Sequence, residues 1–166
     1  MTKKLIEKLN SSHVLENFDC GVPELNNFLV KYALQSQSAN SANTYVACEN
    51  GSIIGFYTLA VGSVIHAQAP KRITKGLARH PVPVMILTRL AVDKSQHGKG
   101  IGRGLLKDVL LRTAQAADIA GIRALLVHAK DDLARQWYLQ FNFDESPTDL
   151  LHLYLLLKDL KKMLSS

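Results

Sequence analysis

A glycine-rich run in the second half of the chain has the residue types and spacing of a phosphate-binding turn. It reads HGKGIGRG from His97 to Gly104, after an apolar stretch that extends from Val84 to Val92. Glycine lets a backbone approach a ligand closely, and the N–H groups at the start of a helix attract anions. Because an amphipathic pattern follows the run, the sequence predicts a pyrophosphate site between a strand and a helix.

The spacing of these glycines excludes two common nucleotide-binding patterns. A dinucleotide fingerprint, G-x-G-x-x-G, needs a third glycine where this chain has Arg103 or Leu105. Its acidic residue is also missing, since Asp118 lies in a helical pattern rather than at the end of a strand. The phosphate loop of NTPases, G-x-x-x-x-G-K-[ST], fails because Lys99 has no such glycine pair before it and no Ser or Thr after it.

A basic segment without carboxylates is the second feature that could do chemistry. No Asp or Glu occurs between Asn50 and Val92. The cations in that window are Lys71, Arg72, Lys75, Arg79 and Arg89. Lysine and arginine neutralise nucleic-acid phosphates, and the whole chain carries a formal net charge of +6. The segment predicts RNA binding, with an exposed, solubilising surface as the alternative.

Length and composition indicate a single globular domain over residues 1–166, with 47% hydrophobic residues. Cys20 and Cys48 show no metal-ligand spacing, so we expect no metal and favour two free thiols over one disulfide. Charges interrupt the apolar residues of the N-terminus, which argues against a signal peptide. No apolar run is long enough to span a membrane, so we expect a cytoplasmic protein without a membrane partner.

Strand and helix patterns alternate along the chain and must position these residues. Strands are predicted over residues 3–9, 44–48, 52–64, 84–92, 123–129 and 150–157, with an Asn-Gly hairpin turn at 50–51. Helices are predicted from Pro23, over 101–117, after Asp131 or Asp132, and over 158–164. The polar residues 36–43 and the basic residues 66–83 are predicted as connections. This order indicates a mixed, layered α+β or α/β domain.

The glycine run and the later helical segment with Tyr138, in this order, resemble the GNAT N-acetyltransferases. The family signature [R/Q]-x-x-G-x-[G/A] is similar to residues 97–102, and the family helix that carries a tyrosine is similar to residues 134–143, ARQWYLQFNF. The resemblance implies acetyl-CoA as cosubstrate. It also implies the GNAT fold, a central twisted and mostly antiparallel sheet with a splayed strand pair, flanked by helices.

The resemblance also implies roles for individual residues. Backbone groups of residues 90–92 would hold the pantetheine arm and polarise the thioester, and Tyr138 would protonate the departing thiolate, with core packing as the alternative role. The implied cofactor contacts are Leu90, Ala91, Val92, His97, Gly98, Lys99, Gly100, Ile101, Gly102, Arg103, Gly104 and Asp131.

The chain departs from the family pattern at several positions. His97 stands where Arg or Gln is usual, and its ring donates to a phosphate more weakly at neutral pH. Asp131 stands where many members have Asn, and Asn142 replaces a glycine, which its tolerance of left-handed backbone allows. The strand at 84–92 lacks the usual general base. His128 is a candidate base or else a core histidine.

The missing base favours an amine that is already partly neutral at pH 7. An α-amino group has a pKa near 7.7, whereas the pKa of a lysine side chain is about 10.4. Residues 18–22, 44–46, 55–59 and 146–149 also resemble the acetyltransferase toxins of bacterial toxin–antitoxin pairs, over roughly residues 10–160. That branch implies acetylation of the α-amino group of aminoacyl-tRNA and inhibition of translation.

The same branch implies partners: a second copy in a homodimer, a ribbon-helix-helix antitoxin, and DNA only indirectly through that antitoxin. Two other interpretations stay open at this point. One is a GNAT enzyme that acts on a small-molecule or protein amine, and the other is a non-enzymatic module that binds acetyl-CoA without turnover.

Overall fold

A computed structural model describes residues 5–165, so the first part of the strand predicted over residues 3–9 lies outside the described residues. The chain forms two compact units. One contains the described residues of Met1–Ala60 and Arg89–Val109, and the other those of Val61–Thr88 and Leu110–Ser166.

Seven strands are present in the described part of the chain. They are β1 (Leu5–Lys8), β2 (Asn43–Glu49), β3 (Ser52–Val64), β4 (Val82–Val92), β5 (Ala124–His128), β6 (Asp144–Glu145) and β7 (His152–Leu156). They form one sheet in the order β1-β2-β3-β4-β5-β7-β6. β4 and β5 run parallel, whereas β1–β2, β2–β3, β5–β7 and β6–β7 are antiparallel pairs. The mostly antiparallel sheet with flanking helices confirms the predicted α+β class.

Four of the α-helices begin at or beside the predicted positions, whereas the helix at Lys71–Thr74 was not predicted. The α-helices are α1 (Pro23–Asn27), α2 (Ala33–Ser38), α3 (Lys71–Thr74), α4 (Ile101–Ala117), α5 (Asp132–Leu139) and α6 (Leu157–Ser165). A π-helical turn, Phe28–Tyr32, joins α1 to α2, and 3₁₀ turns form at His66–Gln68 and Lys94–Gln96. None of the helices among residues 5–165 combines the length and the apolar character that crossing a membrane requires.

The predicted Asn-Gly hairpin is confirmed in the first unit. Asn50 and Gly51 join β2 to β3 with φ angles of 53° and 80°. Both residues therefore occupy the left-handed region, as a two-residue type I′ turn requires. The turn sets the register of the two strands, which contains one bulge at Ala47 and Cys48.

The loop that composition predicted over residues 36–43 is confirmed only for residues 39–42, because α2 continues to Ser38 and β2 begins at Asn43. A long-range contact of Gln37 explains this difference. Its side-chain Nε2 donates to the carbonyl oxygen of Leu9 at 2.7 Å, and its Oε1 accepts from the N–H of Thr44 at 3.1 Å. The amide thus pairs with two backbone segments, which stabilises the end of a helix that contains two serines, residues of lower helix propensity.

The first unit has an aromatic core against which α4 packs closely. Phe56 is fully buried and lies 5.5 Å from the ring centroid of Phe18 and 6.3 Å from that of Phe28. The adjacent Gly55 allows the close approach: a Cβ there would lie 2.9 Å from Leu105 Cδ1 and 3.2 Å from the carbonyl oxygen of Ala91. The start of α4 and the end of β4 are therefore held against β3 with no room for a side chain.

The second unit contains elements that the sequence defined less completely. The basic connection at 66–83 includes α3, whose Ile73 is fully buried and anchors it to a core with Tyr154. β7 is shorter than predicted, since it begins at His152, and α6 extends to Ser165. The two-residue strand β6 was not predicted, because so short a segment has no alternating pattern.

Candidate active site

Strand β4 continues past the segment that pairs with β5. The parallel register runs from Val84 to Leu87, whereas β4 itself continues to Val92. Its last three residues, 90–92, are those expected to hold the cofactor arm. This early end of the pairing agrees with the splayed strand pair that the sequence resemblance implied.

A network of carboxylates holds the turn that follows β4 in the first unit. The Asp93 carboxylate accepts from the N–H of Ser95 at 3.0 Å and from the N–H of Asp19 at 3.0 Å. Burial raises the pKa of Asp93, but these hydrogen bonds outweigh that effect and lower it overall. Asp19 in turn lies 3.0 Å from the Lys94 ammonium. The turn into the glycine run is thus fixed from two directions.

Asp19 is a positioning residue that the sequence analysis did not identify. Hydrogen bonds from the N–H of Gly21, from Asn26 and from Lys94 lower its pKa to about 2. The Asp19 N–H reaches a residue 74 positions away in the chain, so no local spacing could reveal the contact. The sequence Asp93-Lys94-Ser95 did indicate an Asx turn at Asp93, in which the Asp side chain accepts from the N–H two residues later. It gave no sign that Asp19 also contacts this turn.

Two residues of the glycine run have the left-handed backbone that glycine readily adopts. Gly98 and Gly100 have φ angles of 79° and 81°, and no atom lies within 4 Å of a Cβ built at either position. Backbone conformation, rather than lack of space, therefore requires glycine at these two positions. The intrahelical bond from Gly104 N to the Gly100 carbonyl begins α4 at 3.1 Å. The N–H groups of its first turn point out of the helix, as an anion site requires.

His97 makes a contact that its expected role did not include. Its Nε2 donates to the carbonyl oxygen of Val92 at 2.8 Å. In the neutral ring the other nitrogen, Nδ1, then carries only a lone pair and has no hydrogen for a phosphate. While this bond persists the neutral ring has no N–H for a phosphate, so the contact of His97 with the cofactor stays a prediction. His97 instead ties the start of the loop to the end of β4, and the exposed Lys99 and Arg103 are the cations beside the glycines.

Helix α4 is held in place by a charged hydrogen bond. The Tyr57 hydroxyl, on a fully buried residue of β3, donates to the Asp108 carboxylate at 2.6 Å. The Tyr57 ring also stacks on Tyr45 with centroids 5.2 Å apart. Hydrogen bonds to ionised groups are stronger than neutral ones, so this bond helps to fix α4.

Tyr138 lies in the second unit, on the buried face of α5. Its ring packs edge-to-face on Trp137 and on Phe143, with centroids 4.9 Å and 5.9 Å away. Asn142 has the left-handed φ of 66° that was expected, and this turn brings Phe143 back against the tyrosine. Burial raises the pKa of Tyr138 above its usual value of 10.0. The phenol is therefore neutral and carries its proton throughout the physiological pH range.

The Asp131 side chain caps the N-terminus of α5. One carboxylate oxygen accepts from the N–H of Ala134 at 2.8 Å, and the other lies 2.7 Å from the Lys130 ammonium. These two partners lower the pKa of Asp131. The predicted N-cap is confirmed, and the position of this side chain needs no cofactor to explain it.

His128 is exposed, so its interpretation as a core histidine is wrong. Its ring stacks on His152 with centroids 4.3 Å apart, and His152 Nε2 lies 3.4 Å from an oxygen of Asp149. Burial of part of the ring, followed by the effect of His152, lowers the pKa of His128. Its ring is therefore neutral at pH 7 and can accept a proton.

The five cations expected to bind RNA have different environments. Arg72 lies 3.0 Å from Asp144 and 2.7 Å from Asp159, so it connects α3 to β6 and α6. In the first unit, the Arg89 guanidinium lies 3.7 Å above the Phe28 ring, and burial lowers its pKa. Both arginines thus have structural contacts that composition did not predict. The others, Lys71, Lys75 and Arg79, are exposed.

Three side chains in the first unit have the residue types of a metal site. Potential ligand atoms of Glu7, His13 and Cys48 lie within 4.8 Å of one another. However, the N–H of Asn10 donates to His13 Nδ1 at 3.0 Å, so Nε2 carries the ring hydrogen and faces Glu7 at 2.8 Å. The nitrogen that faces this cluster has no lone pair for a metal. Neither Cys48 nor Cys20 forms a disulfide with another described residue, in agreement with the prediction of two thiols.

Comparison with known proteins places this geometry among acyltransferases. The profile of the Acetyltransferase (GNAT) domain matches residues 40–145. A tRNA-acetylating toxin of Mycobacterium tuberculosis (strain H37Rv) is 44% identical over 157 residues, which cover 95% of this chain and 94% of that protein.

Solved structures agree with the sequence relatives. The structure of AtaT complexed with acetyl-methionyl-tRNAfMet has a TM-score of 0.90 and 26% identity, and the match covers 98% of this chain and 99% of that one. AtaTR bound with acetyl-CoA has a TM-score of 0.86 and 27% identity, with 97% and 98% covered. The expected fold is thereby confirmed over nearly the whole chain.

Proposed function

This chain belongs to the GNAT acetyltransferase family, and on that premise we propose that it acetylates the α-amino group of aminoacyl-tRNA and so inhibits translation. It is an acetyl-CoA-dependent N-acetyltransferase. The observation that carries the choice of substrate is the near full-length likeness to a tRNA-acetylating toxin.

The first unit supplies the residues for acetyl-CoA in this proposal. The left-handed backbone at Gly98 and Gly100 and the first turn of α4 suit the pyrophosphate. Backbone groups of Leu90, Ala91 and Val92 extend beyond the pairing of β4 with β5 and hold the pantetheine arm through hydrogen bonds. His97 keeps the loop and the strand end in register through its bond to Val92.

Tyr138 is the proposed acid. As the bond between the acetyl carbon and sulfur breaks, its hydroxyl donates a hydrogen bond and then its proton to the departing thiolate. Its burial supports this role, because a raised pKa keeps the phenol protonated near pH 7 to 8, where an α-amine begins to be neutral.

The nucleophile needs little help from a base. About a sixth of an α-amine with a pKa near 7.7 is already neutral at pH 7, compared with less than about 0.1% of a lysine side chain. His128 is neutral at pH 7 and is the candidate to receive the proton that the amine loses.

Labelling with radioactive acetyl-CoA tests the substrate. The protein is offered aminoacyl-tRNA, deacylated tRNA, polyamines and lysine peptides in parallel reactions. We expect label only on the aminoacyl-tRNA, in a form that alkali releases as the N-acetyl amino acid. Label that appears on polyamines or peptides, or equally on deacylated tRNA, would refute the proposal.

The partners in this proposal follow the same branch of the family. We expect a homodimer in the bacterial cytoplasm, where aminoacyl-tRNA occurs, and neutralisation by a ribbon-helix-helix antitoxin. Contact with DNA is then indirect, through the antitoxin. Light scattering of the purified protein, alone and with the antitoxin, measures both assembly states.

A further inference from the structure

A basic cavity in the second unit is not used by the acetyl-transfer chemistry. It has a volume of about 760 Å³ and lies among α3, the end of β7 and α6. Of the described residues that line it, six are cationic and one, Asp159, is a carboxylate. The cations are Arg72, Lys75, Arg123, Lys158, Lys161 and Lys162.

The two arginines build the walls of this cavity. Arg72 pairs with Asp159 at 2.7 Å, so the only carboxylate of the lining is already neutralised. Arg123 Nε donates to the carbonyl oxygen of Ile73 at 2.8 Å, and its Nη2 donates to that of Lys75 at 3.1 Å. These bonds hold the end of α3 in position. Carbonyl oxygens do not neutralise a guanidinium, so the remaining positive charge of the cavity comes from Arg123 and the lysines.

Three of the lysines lie on one face of α6. Lys158, Lys161 and Lys162 are three and four residues apart, which places them side by side on a helix, and all three are exposed. The fully buried Leu160 anchors the helix from another face. Like charges at this spacing repel one another, and a polyanion bound across them would remove that repulsion.

The chemistry of the lining indicates what such a polyanion would be. Among the described residues that line the cavity, none is aromatic, so there is no platform on which a base could stack. None is Asn, Gln, Ser or Thr either, which leaves no amide or hydroxyl group to read base edges. Lysines in such a setting contact phosphates, and these contacts do not depend on the base sequence of the nucleic acid.

We propose that this cavity binds the phosphate backbone of the tRNA substrate. These contacts give affinity for the tRNA body and do not depend on which amino acid the tRNA carries. The proposal rests on the proposed function, since it assumes a tRNA substrate. Of the expected RNA-binding residues the cavity contains Arg72 and Lys75, and it adds the three lysines of α6, which the acid-free window did not include.

Two triple variants with the same change in charge test the cavity. The first is Lys158→Gln, Lys161→Gln and Lys162→Gln. The matched control is Lys8→Gln, Lys31→Gln and Lys107→Gln, which removes three exposed lysines of the first unit. Both are assayed with aminoacyl-tRNA and with aminoacyl-adenosine, which carries the same amine without the phosphate backbone.

We expect the cavity variant to raise the KM for aminoacyl-tRNA about tenfold and to reduce the salt slope of tRNA binding by about 2 to 3, because each phosphate contact contributes roughly 0.7 to 0.9. Its kcat and its turnover of aminoacyl-adenosine should equal those of the wild type. The control variant should change neither. Equal effects of the two variants on KM, or no effect of either, would overturn the assignment.

Two further readouts separate the possible failures. Filter binding of deacylated tRNA tests the cavity without catalysis, so unchanged binding by the cavity variant also rejects the proposal. If wild-type protein acetylates neither aminoacyl substrate, the proposed function fails. If the cavity variant loses affinity for a polyglutamate peptide but not for tRNA, the cavity binds an acidic protein segment and the RNA assignment is wrong.

Discussion

The His97 ring donates to the carbonyl oxygen of Val92 at 2.8 Å, so the residue that opens the glycine loop is bonded to the last residue of β4. The loop and the strand end are the two backbone segments proposed to hold acetyl-CoA. One side chain thus sets the position of each with respect to the other. This geometry makes His97 a positioning residue whose loss should act on cofactor affinity.

Replacing His97 tests that role. His97→Ala removes the donor, and we expect the KM for acetyl-CoA to rise about three- to tenfold, because a typical hydrogen bond contributes roughly 0.5–1.5 kcal/mol. His97→Gln should restore most of the affinity, since its amide N–H can donate to the same carbonyl. Steady-state kinetics at saturating tRNA measures both, and an Ala variant with wild-type KM would show that the bond is dispensable.

Alanine substitutions test whether the loop glycines are required by their backbone conformation or by a lack of room for a side chain. Gly98→Ala and Gly100→Ala force a left-handed residue with a side chain, at a cost of about 1–2 kcal/mol each, and should weaken acetyl-CoA binding. Gly104→Ala is the matched control, because it lies inside α4 with open space around its Cβ, and it should stabilise the helix by about 0.5–1 kcal/mol. Thermal melts and KM for acetyl-CoA report the outcome, and destabilisation by Gly104→Ala would contradict it.

Tyr138→Phe tests the acid. We expect kcat to fall about 10²- to 10⁴-fold, the range of general acid catalysis, while the KM values and the melting temperature change little. The Phe ring keeps the packing on Trp137 and Phe143. Because burial raises the pKa of Tyr138, wild-type kcat should rise with pH as the amine loses its proton and should not decline up to about pH 9. A variant that retains full kcat would leave Tyr138 a packing residue.

Asp19 gives a prediction about stability in acid. Its pKa is about 2 in the folded protein, below the ordinary value of 3.8 that the unfolded chain has, so the ionised carboxylate stabilises the fold above about pH 4. That stabilisation is lost as the pH falls from about 4 towards 2. Asp19→Asn should therefore lose less stability over this interval than the wild type. Urea melts at pH 5, 4 and 3 measure the difference, and parallel curves would exclude a contribution from Asp19.

Local signals explain which parts of the fold and site were predictable. The Asn50-Gly51 turn, the cap at Asp131 and the positive φ of Asn142 all depend on residue types within a few positions, and all were predicted. The start of α4 directly after the glycine run was predictable for the same reason.

Contacts between distant residues explain what the sequence could not reveal. Helix α2 continues to Ser38 because Gln37 bonds to Leu9, which lies 28 positions away. Arg72 was expected to bind RNA, but it pairs with Asp144, which lies 72 positions further along the chain. No spacing rule reaches across such separations, so the partners of a surface cation remain unknown until the fold is known.

Gly55 offers a means of controlling the protein in living cells. A single methyl group there would meet the Leu105 side chain, which can move, and the Ala91 carbonyl, which yields only by tenths of an ångström. Both atoms would have to shift to accept that group, so Gly55→Ala should loosen the start of α4 and lower the melting temperature of the protein. We expect such a variant to lose its activity in a host grown near that melting temperature and to regain it after a shift to a lower temperature.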